Sequence, residues 1–208
     1  MDFSLIETLR WEPESGFVRL ERHLARLARS ATELGLAGAE GARDALFATL
    51  PPSALPAPLR IRLELFPDGR IEVQTAPFTP LAGSTVWRLK IAGTRLSSAD
   101  PLLRHKTSRR ALYAAARGEF PATEADEVIL LNERGDICEG TITSLFLDDG
   151  SGVLKTPPLA SGLLAGVLRE ELLETGRAVE ARLRPGDLSS GALFAGNSLR
   201  GLIRCALA

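Results

Sequence analysis

Lysine is scarce in this chain: Lys90, Lys106 and Lys155 are the only three, and the other 22 of its 25 basic residues are arginine. With so few amines present, each one is a candidate for chemistry. Cysteine and histidine are scarcer still. Cys138 and Cys205 show no Cys-x-x-Cys spacing, and with His23 and His105 they are too few for a standard zinc site, so no metal is expected. The same cysteine usage fits a reduced, cytoplasmic setting. A formal net charge of -1 and a pI near 6.2 leave no global basic field, which argues against nucleic acid or an anionic membrane as partner. Any anion must be caught locally. No apolar run approaches the length of a bilayer span, and Met1-Asp2-Phe3-Ser4 does not open a basic stretch followed by an apolar one, so neither insertion nor export is expected. There is no internal repeat and no low-complexity segment.

What is present is an ordinary globular mixture, 45% hydrophobic and 25% charged over 208 residues, enough for one large domain or two small ones with real cores. Leu20, Leu24, Leu27, Ala28, Ala31 and Leu34 recur at helical spacing and Gly35 stands where a helix would stop, predicting a strand into a helix between Phe17 and Leu36. A second helix is predicted over Glu40–Leu50, ended by Pro51-Pro52, with a loop to Pro58. Leu59–Leu65 and Arg70–Gln74 alternate with period two around Asp68-Gly69, the signature of a hairpin. A strand follows over Thr85–Ala92. Gly93–Leu103 reads as a polar connection, dividing an N-terminal lobe (1–98) from a C-terminal lobe (104–208) across 99–103.

The second half predicts a helix from about Thr107 to Arg117, a strand Asp126–Leu131, a turn at Asn132–Gly135 and one strand continuing through Thr143–Leu147. A short strand at Val153–Thr156, a helix at Gly166–Gly176 and strands at Ala192–Ala195 and Leu202–Cys205 complete the pattern. Helices and strands alternate, so the fold class is α+β or mixed α/β.

Lys106 opens the predicted helix in an arginine-rich stretch. An amine that forms a Schiff base must lose its proton, and neighbouring cations or desolvation favour that loss; a solvated lysine is the plain alternative. Glu139 falls inside an apolar strand, where a carboxylate needs a partner, unless it faces solvent at the strand end. A protonated pyridine nitrogen is one such partner. Arg26 lies one residue from the apolar stripe of its helix and offers a donor fork suited to phosphate, or is one surface arginine among many. Gly166 begins a helix whose free N–H groups attract an anion. Gly196–Gly201 supplies a glycine-flanked turn carrying the Ser198 hydroxyl, or is an ordinary turn.

Taken in order, Ile6-Glu7-Thr8-Leu9-Arg10, Glu21–Leu27, His105-Lys106-Thr107, Glu139-Gly140-Thr141, Thr156–Leu159, Gly166–Arg169 and Asn197–Gly201 resemble the pattern of the class IV aminotransferases, fold type IV enzymes of pyridoxal 5'-phosphate. The resemblance covers nearly the whole chain. It implies a small α/β N-terminal lobe, a larger barrel-like C-terminal lobe and a homodimer. By it Lys106 would be the Schiff-base lysine, Glu139 the partner of the pyridine nitrogen and Arg26 a phosphate ligand. Gly166, Val167 and Leu168 would present backbone N–H groups to the phosphate, and Ser198 its hydroxyl. Within the family, His105–Arg110 together with Asn197–Gly201 is similar to aminodeoxychorismate lyases, which form 4-aminobenzoate, a folate precursor, and pyruvate and take their substrate from an aminodeoxychorismate synthase. That substrate carries two carboxylates, for which Arg110, Arg200 and Arg10 are the candidates. A transaminase for branched-chain or D-amino acids and a non-catalytic partner subunit are the alternatives. Two departures stand out. The chain reaches Glu7-Thr8-Leu9-Arg10 almost at once, implying a shortened N-terminal lobe, and Ser144 replaces an asparagine common among relatives.

Overall fold

The computed structural model describes residues 2–50 and 57–208; Pro51-Pro52 and the predicted loop as far as residue 56 lie outside the described residues. The chain forms two compact units, Met1–Pro80 with His105–Arg109, and Leu81–Arg104 with Arg110–Ala208. Among the described residues no helix is long and apolar enough to cross a membrane.

The first unit is a four-stranded antiparallel sheet in the order β2-β1-β3-β4, made of β1 (Leu5–Glu12), β2 (Gly16–Phe17), β3 (Leu59–Leu65) and β4 (Ile71–Pro77), with helices α1 (Leu20–Leu34) and α2 (Ala42–Ala48). The alternation in β3 sends Ile61, Leu63 and Leu65 inward to complete burial, against Leu5 and Leu9 of β1 and Leu27 and Ala31 of α1. Each such side chain contributes about 1.5–3 kcal/mol on leaving water. α1 stops at Gly35, whose left-handed backbone (φ 72°) lets the next N–H, that of Leu36, close on Ala31 O at 2.8 Å. The hairpin turns at Gly69 (φ 83°), pairing Leu65 with Ile71.

The second unit carries an eight-stranded mixed sheet, β10-β9-β8-β11-β12-β5-β6-β7. Its strands are β5 (Val86–Leu96), β6 (Glu127–Asn132), β7 (Ile137–Gly140), β8 (Ser144–Asp148), β9 (Leu154–Thr156), β10 (Ala178–Glu180), β11 (Ala192–Asn197) and β12 (Gly201–Leu207), with helices α3 (Ala111–Gly118) and α4 (Val167–Glu174). Every residue of β6 is buried, as its near-continuous apolar run requires. The sheet curls towards a barrel: Ile137 N at one edge donates to Leu183 O, three residues beyond the strand at the other edge, at 2.9 Å.

Three elements differ from the sequence reading. β5 does not stop at Ala92 but runs to Leu96 through a register shift between Ile91 and Arg95. The Glu119 carboxylate accepts from Gly93 N (2.5 Å), Thr94 N and Thr94 Oγ1, while Arg95 Nη1 donates to Ala92 O and Gly93 O, so the groups freed by the bulge are satisfied from outside the ladder. β5 therefore belongs to the second sheet, although the sequence reading places it before the connection. The helix expected from Thr107 begins only at Ala111. Residues 106–108 are extended alongside β1, with Ile6 N donating to Lys106 O (2.7 Å), Ser108 N to Ser4 O (2.9 Å) and Thr107 bridging Leu5. Finally, the single strand expected up to Leu147 is two strands, β7 and β8, broken at 141–143.

Candidate active site

In the first unit, alternation along β1 puts Glu7 on the same face as Leu5 and Leu9, and it is 3% exposed. A carboxylate facing the core costs several kcal/mol unless cations meet it. They come from α1, where His23 and Arg26 share a face three residues apart. Arg26 Nε donates to Glu7 Oε1 (2.8 Å) and Arg26 Nη2 to Glu7 Oε2 (2.6 Å), with His23 Nδ1 at 2.6 Å from Oε2. Burial raises the Glu7 pKa, but Arg26 and His23 overcome it and bring the carboxyl down to about 2. Burial, assisted by the charges of Arg26 and Lys106, lowers the His23 pKa against the pull of Glu7. The ring is then neutral and Nδ1–H is the donor to the carboxylate.

Lys106 is brought to this cluster. Its backbone is held by β1, and its neighbour His105 is fixed to α1 through Ser30 Oγ (Nδ1, 3.0 Å) and Glu33 (Nε2, 3.5 Å). Lys106 thus lies on extended chain rather than at a helix start, with its charge felt at His23. Arg10 pairs with the Glu12 side chain and lies 5.5 Å from the Phe78 ring centre.

In the second unit Glu139 is 5% exposed on β7. Tyr113 is one partner: the phenol donates to Glu139 Oε1 at 2.7 Å, and Leu164 N donates to the same oxygen at 3.2 Å. Burial, then the Glu139 charge, pushes the Tyr113 phenol far above its ordinary range, so it remains a donor. Arg110, at the N-cap of α3, places its guanidinium 4.3 Å from the centre of the Tyr113 ring and donates to Thr141 O. The turn after Glu139 is built on a second buried carboxylate. Glu127 accepts from the N–H groups of Val128, Thr141 and Ile142 and the hydroxyls of Thr141 and Thr143 at 2.5–3.0 Å. This is why the strand breaks there.

Gly166 precedes α4 in extended backbone with no side-chain cap, leaving the first-turn N–H groups of Val167 and Leu168 to another acceptor. A Cβ at Gly166 would fall 2.6 Å from Ser144 Oγ, and one at Gly196 would fall 2.9 Å from Leu168 Cδ2. Gly166 thus lets the start of α4 close on β8, and Gly196 lets the end of β11, just before the turn carrying buried Ser198, close on α4. The resulting donor set of backbone N–H groups and a hydroxyl suits a phosphate. Arg200 N is capped by Asn197 Oδ1 (2.9 Å), and its guanidinium sits 5.9 Å from the Trp87 ring centre.

The structure therefore gathers Lys106 and Arg26 within the first unit, and Glu139, Arg110, Gly166, Val167, Leu168 and Ser198 within the second. Glu7, His23, Tyr113 and Glu127 were missed by sequence reasoning. Glu7 left a signal as the charged residue alternating with Leu5 and Leu9, and Tyr113, the chain's single tyrosine, stands one helical turn after Arg110. Both cysteines are buried, and burial raises their thiols to about 12 (Cys138) and about 11 (Cys205), which removes them as nucleophiles near neutral pH.

The model of the family described as "Amino-transferase class IV" matches residues 4–207. A solved structure from Mesorhizobium loti, provisionally assigned as an amino-acid aminotransferase, is similar over 100% of both chains at 54% identity and a TM-score of 0.92. A Schizosaccharomyces pombe protein provisionally named an aminodeoxychorismate lyase is 29% identical over 83% of this chain and 74% of its own length. A Thermotoga maritima protein named a probable branched-chain-amino-acid aminotransferase is 33% identical over 59% of this chain and 44% of its own length.

Proposed function

This chain belongs to the class IV aminotransferases, pyridoxal-phosphate-dependent enzymes of fold type IV, and on that premise we propose that it is a 4-amino-4-deoxychorismate lyase, releasing pyruvate and 4-aminobenzoate. The residues of the second unit suit the cofactor: Gly166, Val167, Leu168 and Ser198 would hold the phosphate; the family resemblance, not the geometry, adds Arg26, whose guanidinium Glu7 fixes through two bonds. Glu139 would hold the proton on the ring nitrogen, and Lys106 the cofactor's carbonyl carbon. When bound, pyridoxal phosphate supplies an electron sink for charge developing on the carbon that bears the substrate nitrogen.

The chain's own groups do the rest. Once the substrate amine has displaced it from the cofactor, Lys106 Nζ would be free to take the proton from that carbon and to return it to the enolpyruvate that leaves as the C–O bond breaks, giving pyruvate and an aromatic ring. Arg110 and Arg200 orient the two substrate carboxylates, with Arg10 as the further candidate. The observation that supports the lyase reading is the pair of arginines in the unit of Glu139 and Ser198, each set against an aromatic ring, which matches in number the two carboxylates of that substrate. A transaminase for branched-chain or D-amino acids is the second reading, favoured by the 54% identity to the Mesorhizobium loti protein. The resemblance also brings a homodimer and substrate supply by an aminodeoxychorismate synthase.

The test is an absorption spectrum of wild type beside Lys106→Ala, followed by mixing with 4-amino-4-deoxychorismate. The wild type is expected to show the visible band of bound cofactor, the variant to lose it, and 4-aminobenzoate and pyruvate to appear together. The band without those products moves the assignment to the transaminase; no band with added pyridoxal phosphate overturns the enzyme reading.

A further inference from the structure

Among the polar links of the second unit that the cofactor assignment does not use is one that starts on α3. Tyr113 lies on the first turn of α3, one turn after Arg110, and its ring packs against the core that includes Cys138 and Leu163. Arg110 covers the ring at 4.3 Å and is itself tied to Thr141 O. Its hydroxyl and the Leu164 N–H converge on one oxygen of Glu139, Oε1, at 2.7 and 3.2 Å. Two donors on one oxygen fix the plane of a carboxylate more firmly than either alone. Leu164 stands two residues before Gly166, which ties the same carboxylate to the start of α4.

We propose that Tyr113 is a positioning residue: its hydroxyl holds the Glu139 carboxylate in the orientation in which it meets the protonated ring nitrogen of the cofactor. This rests on the assignment of Glu139 made above. A phenol held in its protonated form serves this purpose where a second charged partner would not. It fixes the geometry of the carboxylate without cancelling the negative charge that keeps the ring nitrogen protonated. Tyr113 acts through Glu139 and touches no reacting atom in this scheme.

The experiment compares wild type, Tyr113→Phe and Glu139→Gln, each stripped of cofactor and titrated with pyridoxal phosphate by tryptophan fluorescence, then reloaded for a pH titration of the visible absorbance. Tyr113→Phe keeps the ring and its packing, and thermal melting of the apo-proteins checks that it folds. Loss of one hydrogen bond to a charged group predicts a rise of about tenfold in the cofactor dissociation constant. The absorbance midpoint should shift in the same direction as in Glu139→Gln, by less. A folded Tyr113→Phe with wild-type affinity and midpoint, while Glu139→Gln shifts both, overturns the positioning role and leaves the Glu139 assignment standing. If Glu139→Gln changes neither, the assignment falls and the role of Tyr113 falls with it.

Discussion

The two units bury carboxylates by opposite means. Glu7 in the first is met by Arg26 with two bonds and by His23 with one. Glu127 in the second is met by five bonds from neutral donors. The difference is one of purpose as well as chemistry. A carboxylate matched to an arginine fixes that arginine in place, and breaking the pair strands a buried charge. A carboxylate held by neutral donors, as Glu127 is, fixes a turn of backbone instead, and its loss strands no buried cation.

The comparison breaks most severely at Glu7. Glu7→Ala removes the two bonds and the charge that Glu7 gives Arg26 and should destabilise the cofactor-free protein by about 3–5 kcal/mol, read from urea unfolding. A loss under about 1 kcal/mol would show that the cluster is solvated on opening.

Acid sharpens the same contrast. Glu7 titrates near 2 in the fold against an ordinary 4.5, so its stabilisation is complete above about 4.5 and is lost as the pH falls towards 2. His23, also lowered, adds a loss of the same sign beginning near its ordinary 6.5, because the unfolded chain takes the proton first. The Glu7 part amounts to about 3 kcal/mol. Unfolding measured across this range should steepen on the acid side in wild type and flatten in Glu7→Gln. Equal slopes would remove Glu7 as the cause.

The smallest effect is expected at Glu127. Glu127→Gln keeps one acceptor oxygen, and with no cation among its five bonds the loss should be about 2 kcal/mol, again by urea unfolding. A loss as large as that of Glu7→Ala would erase the contrast between the two kinds of partner.

Legibility in the sequence followed the range of the interaction. The end of α1 at Gly35, the hairpin around Asp68-Gly69 and the alternation of β3 were readable because each depends on neighbours within a few residues. The family resemblance singled out Lys106, Arg26 and Glu139. It could not say that Arg26 is engaged by Glu7 or that Glu139 is held by Tyr113, since those partners stand 19 and 26 residues away. The start of α3 is misplaced by its sequence pattern because Thr107 is paired to Leu5. The ends of β5 and β7 are misplaced because Glu119 and Glu127 satisfy donors that a sheet would otherwise have bonded.

By itself the sequence determined the elements whose stop signals and periodicity are local, the scarcity of amines that singles out Lys106, and the order of motifs along the chain. Tertiary structure alone decided which buried carboxylate received a cation and which received neutral donors. The physical reason is that burying a charge sets a demand for partners without specifying them, and only folding brings the candidates within hydrogen-bond reach.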